Sequence, residues 1–101
     1  MRDISFKVDG QHLALVSDVS DLIVGSRSYL RAKFEFDDSW NGYTKAVVFY
    51  QGDNEEAFFI KDEPVPIPDE IAAHRTFKMR VIGKRGYTSI PTNKITIVQG
   101  V

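Results

Sequence analysis

Two histidines, four acidic pairs and a scatter of serines are the side chains of this sequence with chemistry to offer. His12 and His74 lie far apart, and neither has a partner at metal-ligand spacing. Local patterning puts His12 in a strand and His74 at the end of a short helix, where a cation meets the helix dipole favourably. Both read as structural. The pairs Asp37-Asp38, Glu55-Glu56, Asp62-Glu63 and Asp69-Glu70 fall in expected turns or at a helix start, where carboxylates are normally solvated. A calcium loop needs ligands at alternate positions, a central glycine and a closing glutamate, an order that Asp53-Asn54-Glu55-Glu56 does not supply. The seven glycines are dispersed rather than gathered into a phosphate loop, and no serine sits in a nucleophile elbow. The chain has no cysteine, so thiolate ligands, cysteine nucleophiles and disulfides drop out together. The sequence assigns no catalytic residue, metal ligand or cofactor, and the expectation is a non-enzyme.

A chain of 101 residues has room for one domain, here 1–101, with one core. Its composition, 43% hydrophobic and 27% charged, is that of an ordinary globular protein and argues against disorder. A net charge of −1 argues against nucleic-acid binding by bulk electrostatics. The opening MRDISFKVDG alternates instead of presenting the apolar run of a signal peptide. Nothing approaches the roughly twenty apolar residues of a membrane helix, so no membrane partner is expected.

The stretch 28–50 organises the rest. Leu30, Ala32, Phe34 and Phe36 alternate with Arg31, Lys33 and Glu35, the pattern of a strand with one buried face. Asp37 to Gly42 then reads as a tight corner carrying the only tryptophan, Trp40. Ala46-Val47-Val48-Phe49-Tyr50 is apolar throughout and suits a strand covered on both faces. These two strands read as a hairpin-like unit.

Further strands are expected over 3–8 and 12–16, joined at Asp9-Gly10, and over 22–24, 55–61, 76–83, 87–90 and 94–99. The proline-rich 62–68 reads as an edge or an extended connection. One short helix is expected near 68–74, begun by Pro68 and Asp69-Glu70. Eight or nine short strands at this spacing predict an all-β fold, a single antiparallel, Ig-like β-sandwich, with an open barrel as the alternative.

Two features suggest contact with other molecules. Arg31 and Lys33, with Lys78 and Arg80, would form one basic patch if their strands were neighbours, suited to an acidic protein surface. Phe49, Tyr50, Phe58 and Phe59 lie on runs apolar on both faces, whereas a sandwich has one interior. Some of them are expected at a subunit interface.

A YLxAxFxFxxxWxGxxKxxxF arrangement is matched by Tyr29, Leu30, Ala32, Phe34, Phe36, Trp40, Gly42, Lys45 and Phe49. VPIPDEI at 65–71 and IPTN at 90–93 follow. Together with the FKVDG opening, these motifs resemble a small β-sandwich module of virion proteins from phages and prophages of Gram-positive bacteria. There it often forms the N-terminal part of head-fibre or tail and baseplate fibre proteins. The resemblance covers nearly the whole chain and brings no catalytic residues. It implies a virion structural protein made in the bacterial cytoplasm, with other virion proteins as partners and self-association, most often as a trimer. Similar modules continue into a fibre, whereas this sequence ends at Val101, so a free-standing version or an anchoring piece is expected. On this reading Trp40 plugs the sandwich end, Gly42 permits the corner, and Pro91 fixes the approach to the last strand. The alternative is a carbohydrate-binding module for host cell-wall sugars, with Trp40, Tyr43, Tyr50 and Tyr87 as an exposed stacking row.

Overall fold

The computed structural model describes residues 1–100. Among these, nine strands form two sheets that pack face to face as an all-β sandwich. One sheet holds β1 (Arg2–Asp9), β2 (His12–Leu15), β3 (Leu30–Phe36) and β6 (Val65–Pro66), in the order β2-β1-β3-β6. The other holds β4 (Thr44–Gln51), β5 (Asn54–Ile60), β7 (Thr76–Arg85), β8 (Thr88–Pro91) and β9 (Ile95–Val98). Its order is β5-β4-β7-β8, with β9 following β8 along the same side of β7. A single helical turn, α1 (Asp69–Ala72), follows Pro68, whose carbonyl accepts from the Ile71 and Ala72 amides. The core draws alternate residues from both sheets, among them Ile4, Phe6, Val8, Ala32, Val47, Phe49, Phe77, Met79, Val81 and Ile97.

Two expectations are corrected. The stretch 22–24 is not a strand: Leu22 is buried beside Val19 in a loop, while Ile23 is exposed. The connection 16–29 is therefore a crossover, and it brings β3 back alongside β1 in parallel, the one parallel ladder among the described residues. Nor do β3 and β4 form a hairpin. They belong to opposite sheets, and the corner between them carries the chain from one layer to the other.

That corner is held by its own side chains. Asp38–Trp40 forms a 3-10 turn capped by Asp37, and Gly42 follows at φ 82°, a left-handed conformation that favours glycine. Trp40 is fully buried at the sandwich end, in a run of rings from Phe6 through Phe34, Phe36 and Trp40 to Tyr43, each 5.3–6.1 Å from the next. Its indole N–H donates to the Gly10 carbonyl at 2.8 Å. The Gly10 N–H donates to the Asp37 carboxylate at 2.6 Å. Both main-chain groups of Gly10 are thus taken by the corner, which locks the β1–β2 turn. On the other sheet, Trp40 rests on bare backbone: a Cβ at Gly83 would lie 2.5 Å from the indole ring.

The IPTN segment makes a second tie. Where β8 gives way to β9, the Val81 carbonyl accepts from the Thr92 N–H and the Val81 N–H donates to the Thr92 hydroxyl, both at 2.9 Å. Thr92 thereby replaces the missing rung. The Asn93 side chain grips both backbone groups of Leu13 across the sandwich, accepting from its N–H at 2.7 Å and donating to its carbonyl at 3.2 Å. Pro91 ends β8 at the sheet edge, where a missing N–H is tolerated, and its carbonyl accepts from Gln11. The approach to the last strand is thus set jointly by Pro91, Thr92 and Asn93. At the other end, the buried Gln99 side chain donates to the Ala72 and His74 carbonyls and closes the end of α1.

Two predictions follow from the corner. Gly83→Ala forces the indole from its seat and costs about 1–3 kcal/mol, read as a lower urea midpoint. Trp40→Phe removes the clashing ring edge, so the double variant loses less than the sum of the single ones; strict additivity contradicts the contact. The Asp37 carboxyl is held below its ordinary 3.8, first by the Ser39 hydroxyl and then by the Gly10 N–H. Such a group stabilises the fold above its unfolded pKa and loses that contribution as pH falls through the lower folded value. Asp37→Asn should therefore lower stability at neutral pH and flatten its decline below about pH 4, measured by denaturant melts across pH.

Candidate interaction surface

The sequence-designated residues separate once the strands are placed. In β4 the side chains of Val47 and Phe49 face the core, with Phe49 at 0% exposure beside Phe58 and Phe77. Phe49 is thus a core residue and not an interface residue. Its run is apolar at every position because alternate residues serve different faces, and a continuous run carries no period to say which. Ala46, Val48 and Tyr50 point outward.

Cross-strand registers arrange that outer face in rows. Phe59 of β5, Ala46 of β4, Ile82 of β7 and Pro91 of β8 stand side by side as an apolar row. The next row is Ala57, Val48 and Arg80, and the next Glu55, Tyr50, Lys78 and Thr96. Tyr50 does not await a second subunit for cover. The Lys94 Nζ sits 4.3 Å from its ring centroid and the Arg80 guanidinium carbon 6.0 Å from it. Val48, directly across from Arg80 on the neighbouring strand, is only 6% exposed. The Tyr50 hydroxyl and the Arg80 Nε are shielded yet have no hydrogen-bond partner. Among the described residues, Lys78, Arg80 and Lys94 form no ion pair.

Arg31 and Lys33 lie elsewhere. They project from the outer face of the β2-β1-β3-β6 sheet, where Arg31 Nε pairs with Asp3 at 2.6 Å and Lys33 is exposed. The four-residue basic patch is thereby corrected: β3 and β7 belong to different sheets, so the two pairs face opposite ways. Lys94 completes the Lys78–Arg80 set instead. Sequence reading missed it because it belongs to an irregular segment whose position depends on Thr92 and Asn93.

Phe58 and Phe59 occupy the edge strand β5, 37% and 67% exposed, Phe58 on the core side and Phe59 on the outer side. The four residues of a sugar-stacking row do not share a surface. Trp40 is buried, Tyr43 lies beneath Arg85 at 4.8 Å, Tyr50 is on the outer face, and Tyr87 alone is fully exposed, at the β7–β8 turn. His12 and His74 are both exposed, on separate elements. No three His, Asp or Glu side chains converge among the described residues.

Comparison with protein-family models, curated proteins and solved structures returns no match.

The face makes a prediction that separates core from surface. Phe49→Glu buries an unpaired carboxylate and should abolish folding, because such burial costs several kcal/mol of a total of about 5–15. Tyr50→Glu, beside Arg80 and Lys94, and Phe59→Glu should keep the folded spectrum by circular dichroism and NMR. Unfolding of the Phe59 variant contradicts the assignment of faces.

Proposed function

We propose that the chain is a non-enzymatic structural module of a phage virion, an attachment or decoration piece of a head fibre, tail or baseplate fibre that acts by protein–protein assembly. The observation that carries the assembly reading is the outer face of the β5-β4-β7-β8 sheet. It sets the apolar row Phe59–Ala46–Ile82–Pro91 beside Tyr50, Arg80, Lys78 and Lys94. An apolar strip flanked by tyrosine and arginine is the composition of a protein interface. An acidic group docked there is oriented by Lys78, Arg80 and Lys94, which have no carboxylate partner within the chain among the described residues.

The virion reading is supported by the residues of the resemblance, which hold specific places in the fold: Trp40 in the corner, Gly42 beyond it, Thr92 completing the β7 ladder within its sheet, and Asn93 tying the layers. Its partners are other virion proteins and further copies of itself. The resemblance implies three copies, whereas the β5 edge favours two. Tyr87, a single exposed ring, gives a carbohydrate-binding reading less support than the assembled face gives this one.

The test is an antibody against the purified chain, applied to density-gradient particles of the phage whose genome encodes it. The chain should be present at fixed stoichiometry, and Arg80→Glu with Lys94→Glu should reduce incorporation at least tenfold. Absence from particles contradicts the proposal, and binding to isolated cell walls instead transfers the reading to sugar recognition.

A further inference from the structure

We infer that the free edge of β5 is the seat of a second copy of this chain, paired antiparallel about a two-fold axis at Phe58. This contact specifies how the assembly reading operates and rests on it for biological meaning. It is nevertheless measured on the isolated chain, so pairing and particle incorporation can fail separately.

Edge strands in natural sheets are normally short, bulged or protected by proline or lysine. β5 carries charge only in its first half, at Glu55 and Glu56; it is paired to β4 through all seven residues without a bulge, and its second half is Ala57-Phe58-Phe59-Ile60. The two-residue turn Gly52-Asp53 makes Gln51 and Asn54 the closing pair of the hairpin. A closing pair exchanges both main-chain bonds, and bonding then alternates along the ladder. The main-chain groups of Glu55, Ala57 and Phe59 therefore point away from β4, along the free edge.

Only registers that keep each face of the sheet continuous are admissible for a second copy. Centred on Phe58, the pairing places Phe58 opposite Phe58, Ala57 opposite Phe59, Glu56 opposite Ile60, and Glu55 opposite Lys61, the residue that follows the strand. Apolar meets apolar at the centre and opposite charges meet at the ends, with one carboxylate per copy, Glu56, set against an apolar side chain. Centred one residue earlier, on Ala57, it places Glu55 opposite Phe59 and Glu56 opposite Phe58, which strands two carboxylates against aromatic rings. Charge complementarity thus selects Phe58 as the centre. Glu55 and Lys61 are both exposed and neither forms an ion pair within the chain. Space is also present: an open groove of about 320 Å³ runs beside this edge, lined by Phe58, Phe59 and the 64–66 stretch, and receives the second copy's Phe58 ring. A two-fold contact of this kind closes on itself and ends at two copies.

The test is sedimentation velocity of the full chain over a hundred-fold dilution. A monomer–dimer equilibrium is expected. Glu55→Lys alone and Lys61→Glu alone each set like charges opposite one another twice and should weaken it about tenfold. The double variant should restore it. Ala57→Pro removes an outward N–H and should abolish pairing while leaving the β4 ladder intact. Monomer at every concentration, a trimer, or a dimer whose charge reversals fail to rescue one another would each overturn the inference. The exchange variants alter only exposed side chains, so the outcome does not depend on whether the proline variant folds.

Discussion

The contact between the Trp40 indole and the bare backbone of Gly83 is the constraint on which the other arrangements depend. A two-layer sheet protein must carry its chain across the end of the sandwich without leaving the interior open. Here one ring fills that end, and it fits only because β7 has no side chain where the ring lies. The same indole holds the β1–β2 turn through Gly10, while Asp37 takes the other main-chain group of that glycine. One corner thereby fixes elements of both layers. With Gly83 turned inward, alternation along β7 places Lys78, Arg80 and Ile82 outward, since a slip of one residue would exchange the two faces.

Next to that corner, polar side chains standing in for backbone add further ties. Thr92 supplies the rung that β7 lacks between β8 and β9, and Asn93 treats Leu13 as a neighbouring strand would. With the interior closed by these ties, the outer faces diverge. One carries the Asp3–Arg31 pair and exposed lysine; the other keeps an apolar row, cations without carboxylate partners and an unprotected strand edge. On the proposed assembly reading, that asymmetry selects the side for contact.

Much of the fold was legible because local rules suffice for it. Period-two patterning locates β1, β3 and β7, Asp9-Gly10 marks the first turn, and Pro68 with two acids marks α1. The rest is non-local. Leu22-Ile23-Val24 has strand-forming residues but spends them in a crossover whose Leu22 plugs the core. Nothing in residues 30–50 reveals that the two strands belong to different layers; the corner looks alike in either case. In 46–50 an unbroken apolar run hides which residues face inward, so Phe49 and Tyr50 read alike although one is core and the other lies beneath two cations. Of the surface residues, Phe59 and the Lys78–Arg80 pair were accessible to sequence reasoning. Lys94 and the tie made by Asn93 were not, because both depend on a partner roughly forty to eighty residues away in the chain.

Side-chain ties, not a continuous ladder, hold the two layers as one unit. Native-state hydrogen exchange at the Leu13 amide tests this most directly, because that amide, in one layer, is bonded to the Asn93 side chain of the other. If the tie is integral to the fold, the Leu13 amide exchanges only through global unfolding, with the same free energy as the central β4 and β7 amides. If it exchanges through local opening, as freely as the amides of the 16–29 loop, the layers are held by the core alone and the tie is not structural.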